Sequence, residues 1–335
     1  MKRRRLLATG AAALSAVPTL PVLTALSTWP GIAGAADYPS RPIRLVVPFG
    51  PGGVADLTAR AVGQVLGQKL GQSIVVENRP GAGGVVAGEV VAKSAPDGYT
   101  LLLMSNGTAV SAGLFKKLPF DPRRDFAPVS LLGQFDLAIV VPANSRFKSL
   151  PELLAFAKQQ PGKLNIGTVN IGSTQNLAAE LLKIAAKVEA EVVPFNGTPA
   201  ILTALNGGQV DAAVEILAPL LPQINGGSLR ALAVLGKQRS PLLPQVPTVA
   251  ESAKLADFDV TSWNALAAPA KTPPAVIKRL NRETRAAVAS PEVQKHLADL
   301  SVQPRASSPE ELAQLLDGEI KRWSDVIVRA GVPRQ

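Results

Sequence analysis

The chain has 335 residues with no cysteine, a single histidine and a formal net charge of +10 at pH 7. The lack of cysteine excludes disulfides, a thiol nucleophile and a cysteine-bound metal. The basic residues are spread along the chain and only 4% of residues are aromatic. We therefore expect no nucleic acid partner.

Residues 1–36 are typical of a cleaved signal peptide. Four basic residues, Lys2 to Arg5, precede an apolar tract that ends in small residues suited to signal peptidase. We predict cleavage near Ala35 or Ala36 and a periplasmic location, with the Sec and twin-arginine routes both open. The alternative is an uncleaved anchor, although prolines interrupt the apolar tract. Cleavage removes four positive charges and no acids, which lowers the net charge from +10 to +6.

The segment 44–56 joins a strand-like apolar run to a helix-period run through a glycine-rich loop. Arg44 to Val47 read as a strand, and a helix is predicted to begin at Val54. Glycines at such a junction let backbone N–H groups approach a ligand, and a helix start adds about half a positive charge. The loop is therefore predicted to hold an anion.

The same unit of strand, small polar loop and helix recurs along the chain, at 74–90, 101–108, 165–184 and 191–205. Such alternation predicts an α/β fold in which ligands lie beyond the carboxyl ends of parallel strands. We expect the five loops to converge on one cleft lined by uncharged donors. Ser173 or Thr174 is the expected N-cap of one helix, and Thr198 of the next, with Pro199 at its first position.

Two apolar strands that each end in proline, at 137–142 and 263–269, are predicted to form a hinge. On this basis domain 1 comprises residues 37–140 and 265–335, and domain 2 comprises residues 141–264. The last third of the chain predicts helices at 274–289, 291–300 and 309–330 that cover domain 1.

Catalytic motifs are thinly represented. The glycines at 81–84 lack the spacing of a dinucleotide fingerprint, and neither glycine loop ends in the Lys-Ser or Lys-Thr of a P-loop. His296 lies in a helical stretch without partners for a metal, so we predict no metal and no cofactor. Acid–base chemistry by Asp56 and Glu215 stays open. Asp56 could instead stabilise the first turn of its own helix.

A set of ordered motifs resembles one family across the whole mature chain. The motifs begin at Tyr38-Pro39-Ser40-Arg41-Pro42-Ile43, Val47-Pro48-Phe49, Gly52-Gly53-x-x-Asp56, Glu77-Asn78-Arg79-Pro80-Gly81-Ala82-Gly83-Gly84 and Pro96-Asp97-Gly98-Tyr99-Thr100. They continue with Gly207-Gly208-Gln209-Val210-Asp211, Leu229-Arg230-Ala231-Leu232-Ala233-Val234 and Val246-Pro247-Thr248-Val249-Ala250-Glu251. Together they are similar to the Bug-type extracytoplasmic receptors of tripartite tricarboxylate transporters.

This resemblance implies a type II periplasmic binding protein fold, with two doubly wound α/β domains joined by a two-strand hinge. It implies a receptor that closes on a small organic acid and presents it to membrane transporter subunits. In the family one carboxylate is held by the first domain, and the far end of the ligand meets the second domain. We expect a monomer without enzymatic activity. The expected ligand-binding residues are Phe49, Gly52, Gly53, Asp56, Ser105, Asn106, Ser173, Thr174, Asn176, Asn196, Thr198 and Glu215.

The chain departs from the family pattern at two positions. Asn176 stands where a histidine usually precedes the leucine, and Glu215 stands where an aspartate is more common. Both departures concern the far end of the ligand. Two further functions stay open: a periplasmic enzyme with Asp56 or Glu215 as base, and a receptor that signals to a sensor partner.

Overall fold

The computed structural model describes residues 38–335. The predicted signal peptide and its cleavage site lie outside these residues. None of the helices in the described range is both long and apolar enough to cross a bilayer.

Residues 38–335 form ten strands and eleven α-helices. The strands are β1 (Ile43–Val47), β2 (Ile74–Asn78), β3 (Thr100–Ser105), β4 (Phe126–Pro142), β5 (Asn165–Val169), β6 (Glu191–Phe195), β7 (Ala212–Ile216), β8 (Leu229–Val234), β9 (Thr261–Pro269) and β10 (Gln303–Pro304). The helices are α1 (Val54–Leu70), α2 (Val85–Ala92), α3 (Asn106–Leu114), α4 (Leu150–Gln159), α5 (Thr174–Ala186), α6 (Thr198–Asn206), α7 (Leu221–Asn225), α8 (Val249–Ala253), α9 (Pro274–Val288), α10 (Pro291–Asp299) and α11 (Pro309–Arg329).

The strands divide between two lobes according to their hydrogen bonding. In the first lobe the parallel strands β2, β1 and β3 continue into antiparallel β9, β4 and β10. In the second lobe β6, β5 and β7 are parallel, and β4 pairs antiparallel with both β7 and β8. This arrangement is the α/β fold of two lobes that the sequence predicts.

Strand β4 belongs to both lobes because it changes partners along its length. Its first part, up to Asp136, pairs with β9, whereas its last part, from Leu137, pairs with β7 and β8. The chain returns at the start of β9, where the Val260 N–H donates to Leu235 O (2.8 Å) and Thr261 pairs with Asp136. Two adjacent strands therefore connect the lobes, as predicted. The exact domain boundaries, 37–140 with 265–335 and 141–264, stay a prediction.

The helices of the last third begin and end within one residue of the predicted positions. Each starts with a proline in its first turn, which costs the helix no hydrogen bond. In α11 the Ser308 hydroxyl and the Glu311 carboxylate cap each other's backbone N–H groups. Helix α9 packs on α1, whereas α11 packs on α3 and also contacts α5 of the second lobe. The last helix thus covers more than the first lobe alone.

Two local expectations differ from the structure. Helix α6 has Gly197, not Thr198, as its N-cap, because the Thr198 hydroxyl donates to the Glu215 carboxylate (3.1 Å). Strand β4 starts at Phe126, eleven residues before the predicted strand at 137. Irregularities in its pairing with β9, around Pro128 and Gly133, accommodate residues that normally interrupt strands.

Candidate ligand-binding site

A cavity of about 1340 Å³ lies where loops of the two lobes meet. Loops that follow β1, β2, β3, β5 and β6 all contribute to its wall, together with β7 and β9. The predicted convergence of five loops is therefore confirmed. We call this cavity the cleft.

Helix α1 enters the cleft wall without a side-chain cap. Its N-cap is Gly53, and Val54 and Ala55 of its first turn line the cavity. The first N–H groups of a helix have no intrahelical acceptor, so at a glycine N-cap they are open to another acceptor. The same end carries the positive pole of the helix dipole. Gly52 just before it has φ +84°, a conformation that favours glycine.

Asp56 holds this loop in place from behind. Its carboxylate is 1% exposed and accepts hydrogen bonds from the Gly52 N–H (2.9 Å), Asn78 Nδ2 (2.8 Å) and Arg60 Nε (3.0 Å to Oδ2). Burial opposes its ionisation, but these hydrogen bonds outweigh burial and hold the pKa of the Asp56 carboxyl below its usual value. Asp56 is thus an ionised, neutralised anchor of the loop, and it does not line the cleft.

Helix α3 begins with Ser105 and Asn106 at the carboxyl end of β3, which is parallel to the neighbouring β1 and ends at the same edge of the sheet. The Asn106 side chain is buried, accepts from Trp323 Nε1 (3.0 Å) and donates to Thr174 Oγ1 (2.8 Å). Trp323 Nε1 also donates to Glu319 (2.7 Å). The bond to Thr174 joins the start of α3 in the first lobe to the start of α5 in the second lobe.

The N-terminus of helix α5 is capped by side chains of its own first residues. The Ser173 hydroxyl accepts from the Asn176 N–H (3.1 Å), which confirms Ser173 as the N-cap. The Asn176 side chain accepts from the Gly172 N–H (3.1 Å) and donates to Thr168 Oγ1 (3.3 Å). Asn176 therefore fixes the loop before α5 and does not line the cleft.

Glu215 at the end of β7 is a buried carboxylate in the second-lobe wall. It is 1% exposed and accepts from Gln175 Nε2 (2.7 Å), the Ile216 N–H (2.6 Å) and Thr198 Oγ1 (3.1 Å). Burial raises the pKa of Glu215, and the three hydrogen bonds partly offset that effect.

Nine of the twelve expected residues line the cleft, whereas Gly52, Asp56 and Asn176 support it from outside. The nine are Phe49, Gly53, Ser105, Asn106, Ser173, Thr174, Asn196, Thr198 and Glu215. Their contact with a ligand stays a prediction. No Lys, Arg or His occurs among the described residues of the cleft wall.

Asn264 is a cleft residue that the sequence does not indicate. It lies in β9 directly opposite Ser105 and is 1% exposed. Neither its Oδ1 nor its Nδ2 has a hydrogen-bond partner within residues 38–335. Buried amides normally have partners, so an unsatisfied amide in a cavity wall is a site prepared for a ligand or water. Only the antiparallel return of β9 beside β3 brings Asn264 here.

These features define the class of the protein. Two α/β lobes connected by two strands, with a large cavity between the ends of their parallel strands, constitute a type II periplasmic binding protein fold.

Comparisons with known proteins agree with this class. The model of the tripartite tricarboxylate transporter family receptor, TctC, matches residues 58–332. Protein BugT of Bordetella pertussis is 37% identical over 299 residues, which is 89% of this chain and 91% of BugT.

Two solved structures from Rhodopseudomonas palustris share the fold. MatC (Rpa3494) with bound malate is 35% identical with a TM-score of 0.73, covering 87% of this chain and 100% of MatC. Rpa4515 with adipate is 33% identical with a TM-score of 0.76, covering 88% of this chain and 99% of Rpa4515. The chain belongs to the receptor family of tripartite tricarboxylate transporters.

Proposed function

We propose that this protein is a periplasmic receptor that binds a small organic carboxylate in the cleft and presents it to the membrane subunits of a tripartite tricarboxylate transporter. The observation that carries the proposal is the uncapped start of α1, where Gly53, Val54 and Ala55 line the cleft. The malate and adipate bound to the two relatives support the class of ligand.

The cleft needs no basic side chain to bind an anion. A hydrogen bond to a charged group contributes about 1.5–3 kcal/mol net. Four or five such bonds, from backbone N–H groups and from side chains such as Ser105 and Asn264, suffice for micromolar binding at about 8 kcal/mol after association costs. The positive end of α1 adds a favourable field at the same place.

Closure of the cleft is part of the proposal. We place the hinge in β4 and β9, with domain 1 at residues 37–140 and 265–335 and domain 2 at residues 141–264. The bond between Asn106 and Thr174 (2.8 Å) supports a closed arrangement because it connects the two sides of the cleft. A ligand held by both sides favours the closed form by its differential affinity.

The proposed role involves no covalent chemistry. Asp56 is turned away from the cleft into an ion pair with Arg60, and His296 is exposed on α10 away from the cleft wall. Glu215 is the remaining candidate for a general base, but its oxygens are engaged by three donors. These positions favour a receptor over an enzyme.

The test uses the mature chain, residues 37–335, purified and mixed with a panel of small carboxylates that includes malate and adipate. We expect one or more acids to raise the melting temperature and to give saturable heats in calorimetry. NMR of the same mixtures should show the acid unchanged. Turnover of a bound acid would support the enzyme alternative, and absence of binding across the panel would contradict the receptor.

The transporter partner is tested in cells. Deletion of the gene should abolish uptake of the bound acid. If uptake persists while expression of acid-responsive genes is lost, the receptor serves a sensor partner instead.

A further inference from the structure

The two sides of the cleft differ in charge. On the first-lobe side the wall presents the uncapped start of α1 together with Ser105 and Asn264, all of them neutral. The carboxylate behind that side, Asp56, is neutralised by Arg60. On the second-lobe side the wall presents the carboxylate of Glu215.

Glu215 is the one acidic side chain of the cleft wall without an ion pair among the described residues. The other acidic residue in the wall, Asp299, pairs with Lys295 (2.7 Å). All donors to Glu215 are neutral, and they come from Gln175, Thr198 and the backbone of Ile216. Its negative charge is therefore not cancelled before a ligand arrives.

The donors around Glu215 stabilise its carboxylate form and partly offset the effect of burial, which raises its pKa. Within residues 38–335, each of the three hydrogen bonds to its two oxygens comes from a group that can donate: the Gln175 amide, the Thr198 hydroxyl and the Ile216 N–H. Thr198 is also the first residue of α6, whose Gly197 N-cap leaves the positive helix end open beside the carboxylate.

The two oxygens of Glu215 are unequally occupied. Oε1 accepts from both Gln175 Nε2 and the Ile216 N–H, whereas Oε2 accepts only from Thr198 Oγ1. Each carboxylate oxygen can accept two hydrogen bonds. Oε2 therefore keeps one acceptor position for a donor in the cleft.

We propose that Glu215 selects carboxylates whose far end carries a hydrogen-bond donor without negative charge, such as an amide, hydroxyl or ammonium group, and rejects a second carboxylate. This inference rests on the proposed function, because it assumes that the ligand's first carboxylate lies at the start of α1. A second carboxylate beside Glu215 would meet a like charge with no cation between them, and such juxtaposition is strongly unfavourable. A donor would instead complete the coordination of Oε2.

The substitution Glu215→Gln isolates this charge. Glutamine keeps Oε1 as the acceptor for Gln175 and Ile216, and its Nε2 can donate to the Thr198 hydroxyl, which rotates to accept. The variant should therefore fold, as checked by circular dichroism and thermal melting. Asp257→Asn is the matched control, because it removes the same charge at an exposed position outside the cleft wall.

The probes are succinate, glutarate and adipate, each compared by calorimetry with its mono-amide and with the ω-amino acid of equal chain length. For wild type we expect the best mono-amide to bind at least about tenfold more tightly than its dicarboxylate. In Glu215→Gln the ratio of mono-amide to dicarboxylate affinity should fall to less than about threefold, mainly because the dicarboxylate gains affinity. The ω-amino acid should separately lose affinity, because its ammonium group no longer meets a negative charge. Asp257→Asn should keep the wild-type ratio.

The possible outcomes test the selectivity of Glu215 separately from the proposed function as a carboxylate receptor. If wild type binds a dicarboxylate as tightly as its mono-amide, or if the ratio is unchanged in Glu215→Gln, the inference is overturned and the carboxylate receptor stands. If neither wild type nor Glu215→Gln binds any probe, the receptor proposal itself fails, and the inference fails with it.

Discussion

The unsatisfied amide of Asn264 predicts a trade-off between stability and binding. Both polar atoms of this side chain are buried and lack partners within the described chain, while the residue lines the cleft. A buried polar group without a partner costs about 1–3 kcal/mol. Asn264→Leu, which is close in volume, removes that cost and adds apolar contact. The variant should therefore be more stable than wild type without ligand.

The same substitution removes a donor and an acceptor from the site. If the amide of Asn264 binds the carboxylate, its loss costs about 1.5–3 kcal/mol, or about 10- to 150-fold in Kd. Calorimetric titration with the tightest-binding acid measures this loss. Urea unfolding without ligand measures the gain, expected at about 1–3 kcal/mol.

Thr284→Val is the matched control for this pair of measurements. The Thr284 hydroxyl in α9 is likewise buried and has no hydrogen-bond partner within residues 38–335, but the residue lies outside the cleft wall. Its replacement should raise stability and leave Kd unchanged. An Asn264→Leu variant with unchanged affinity, or one that is less stable than wild type, would refute this account of the amide.

Three further predictions concern the glycine loops and the strand shared by both lobes. Gly53→Leu should fold, because the φ of Gly53 is −77° and an added Cβ would meet only Gly50 O at 4.0 Å. The leucine side chain should cover the open N–H groups and raise Kd about 100-fold or more, as measured by calorimetry. Gly318→Leu, at an exposed position, is the control. Gly172→Ala should lower the free energy of unfolding, measured in urea, by about 2–4 kcal/mol, because the φ of Gly172 is +79° and the new methyl group would clash with Leu114. A free energy of unfolding within about 0.5 kcal/mol of wild type, which is about the error of such comparisons, would contradict this prediction. Asp136→Asn should raise the melting temperature more at about pH 8 than at about pH 4. Burial raises the pKa of Asp136 above its value in the unfolded chain, so wild type loses stability as pH rises through the folded-state pKa, and the asparagine variant does not. An equal gain in melting temperature at both pH values would count against this prediction.

The sequence predicts the elements well because their ends carry strong local signals. Prolines at the starts of α9, α10 and α11 and glycines after β1 mark boundaries that no tertiary contact overrides. The convergence of five loops also follows from local pattern, since parallel strands place their carboxyl ends at one edge.

The residues that the sequence misses or misplaces depend on contacts distant in the chain. Asn264 enters the cleft only because β9 returns antiparallel beside β3. In the sequence Thr198 resembles an N-cap residue, but in the structure its hydroxyl donates to the Glu215 carboxylate and does not cap α6. The sequence allows Asp56 either to bind a ligand or to hold its own loop. The structure favours the second role, because Asn78, which lies 22 positions away in the sequence, donates to the Asp56 carboxylate. No local periodicity carries such information.

Three of the five helices that start at the cleft lack a side-chain N-cap, whereas α3 and α5 start there with the serines Ser105 and Ser173. Helices α4, α10 and α11 start with serines that accept a backbone N–H of their own first turn, and they start away from the cleft wall. Helices α1, α2 and α6 start with glycines that provide no such acceptor, and residues at the start of each line the cleft. A glycine N-cap costs only a few tenths of a kcal/mol relative to serine, but it leaves N–H groups without a side-chain competitor. The chain thus leaves three helix starts incomplete around one cavity, and an anion that completes them gains binding energy that those helices do not supply to themselves.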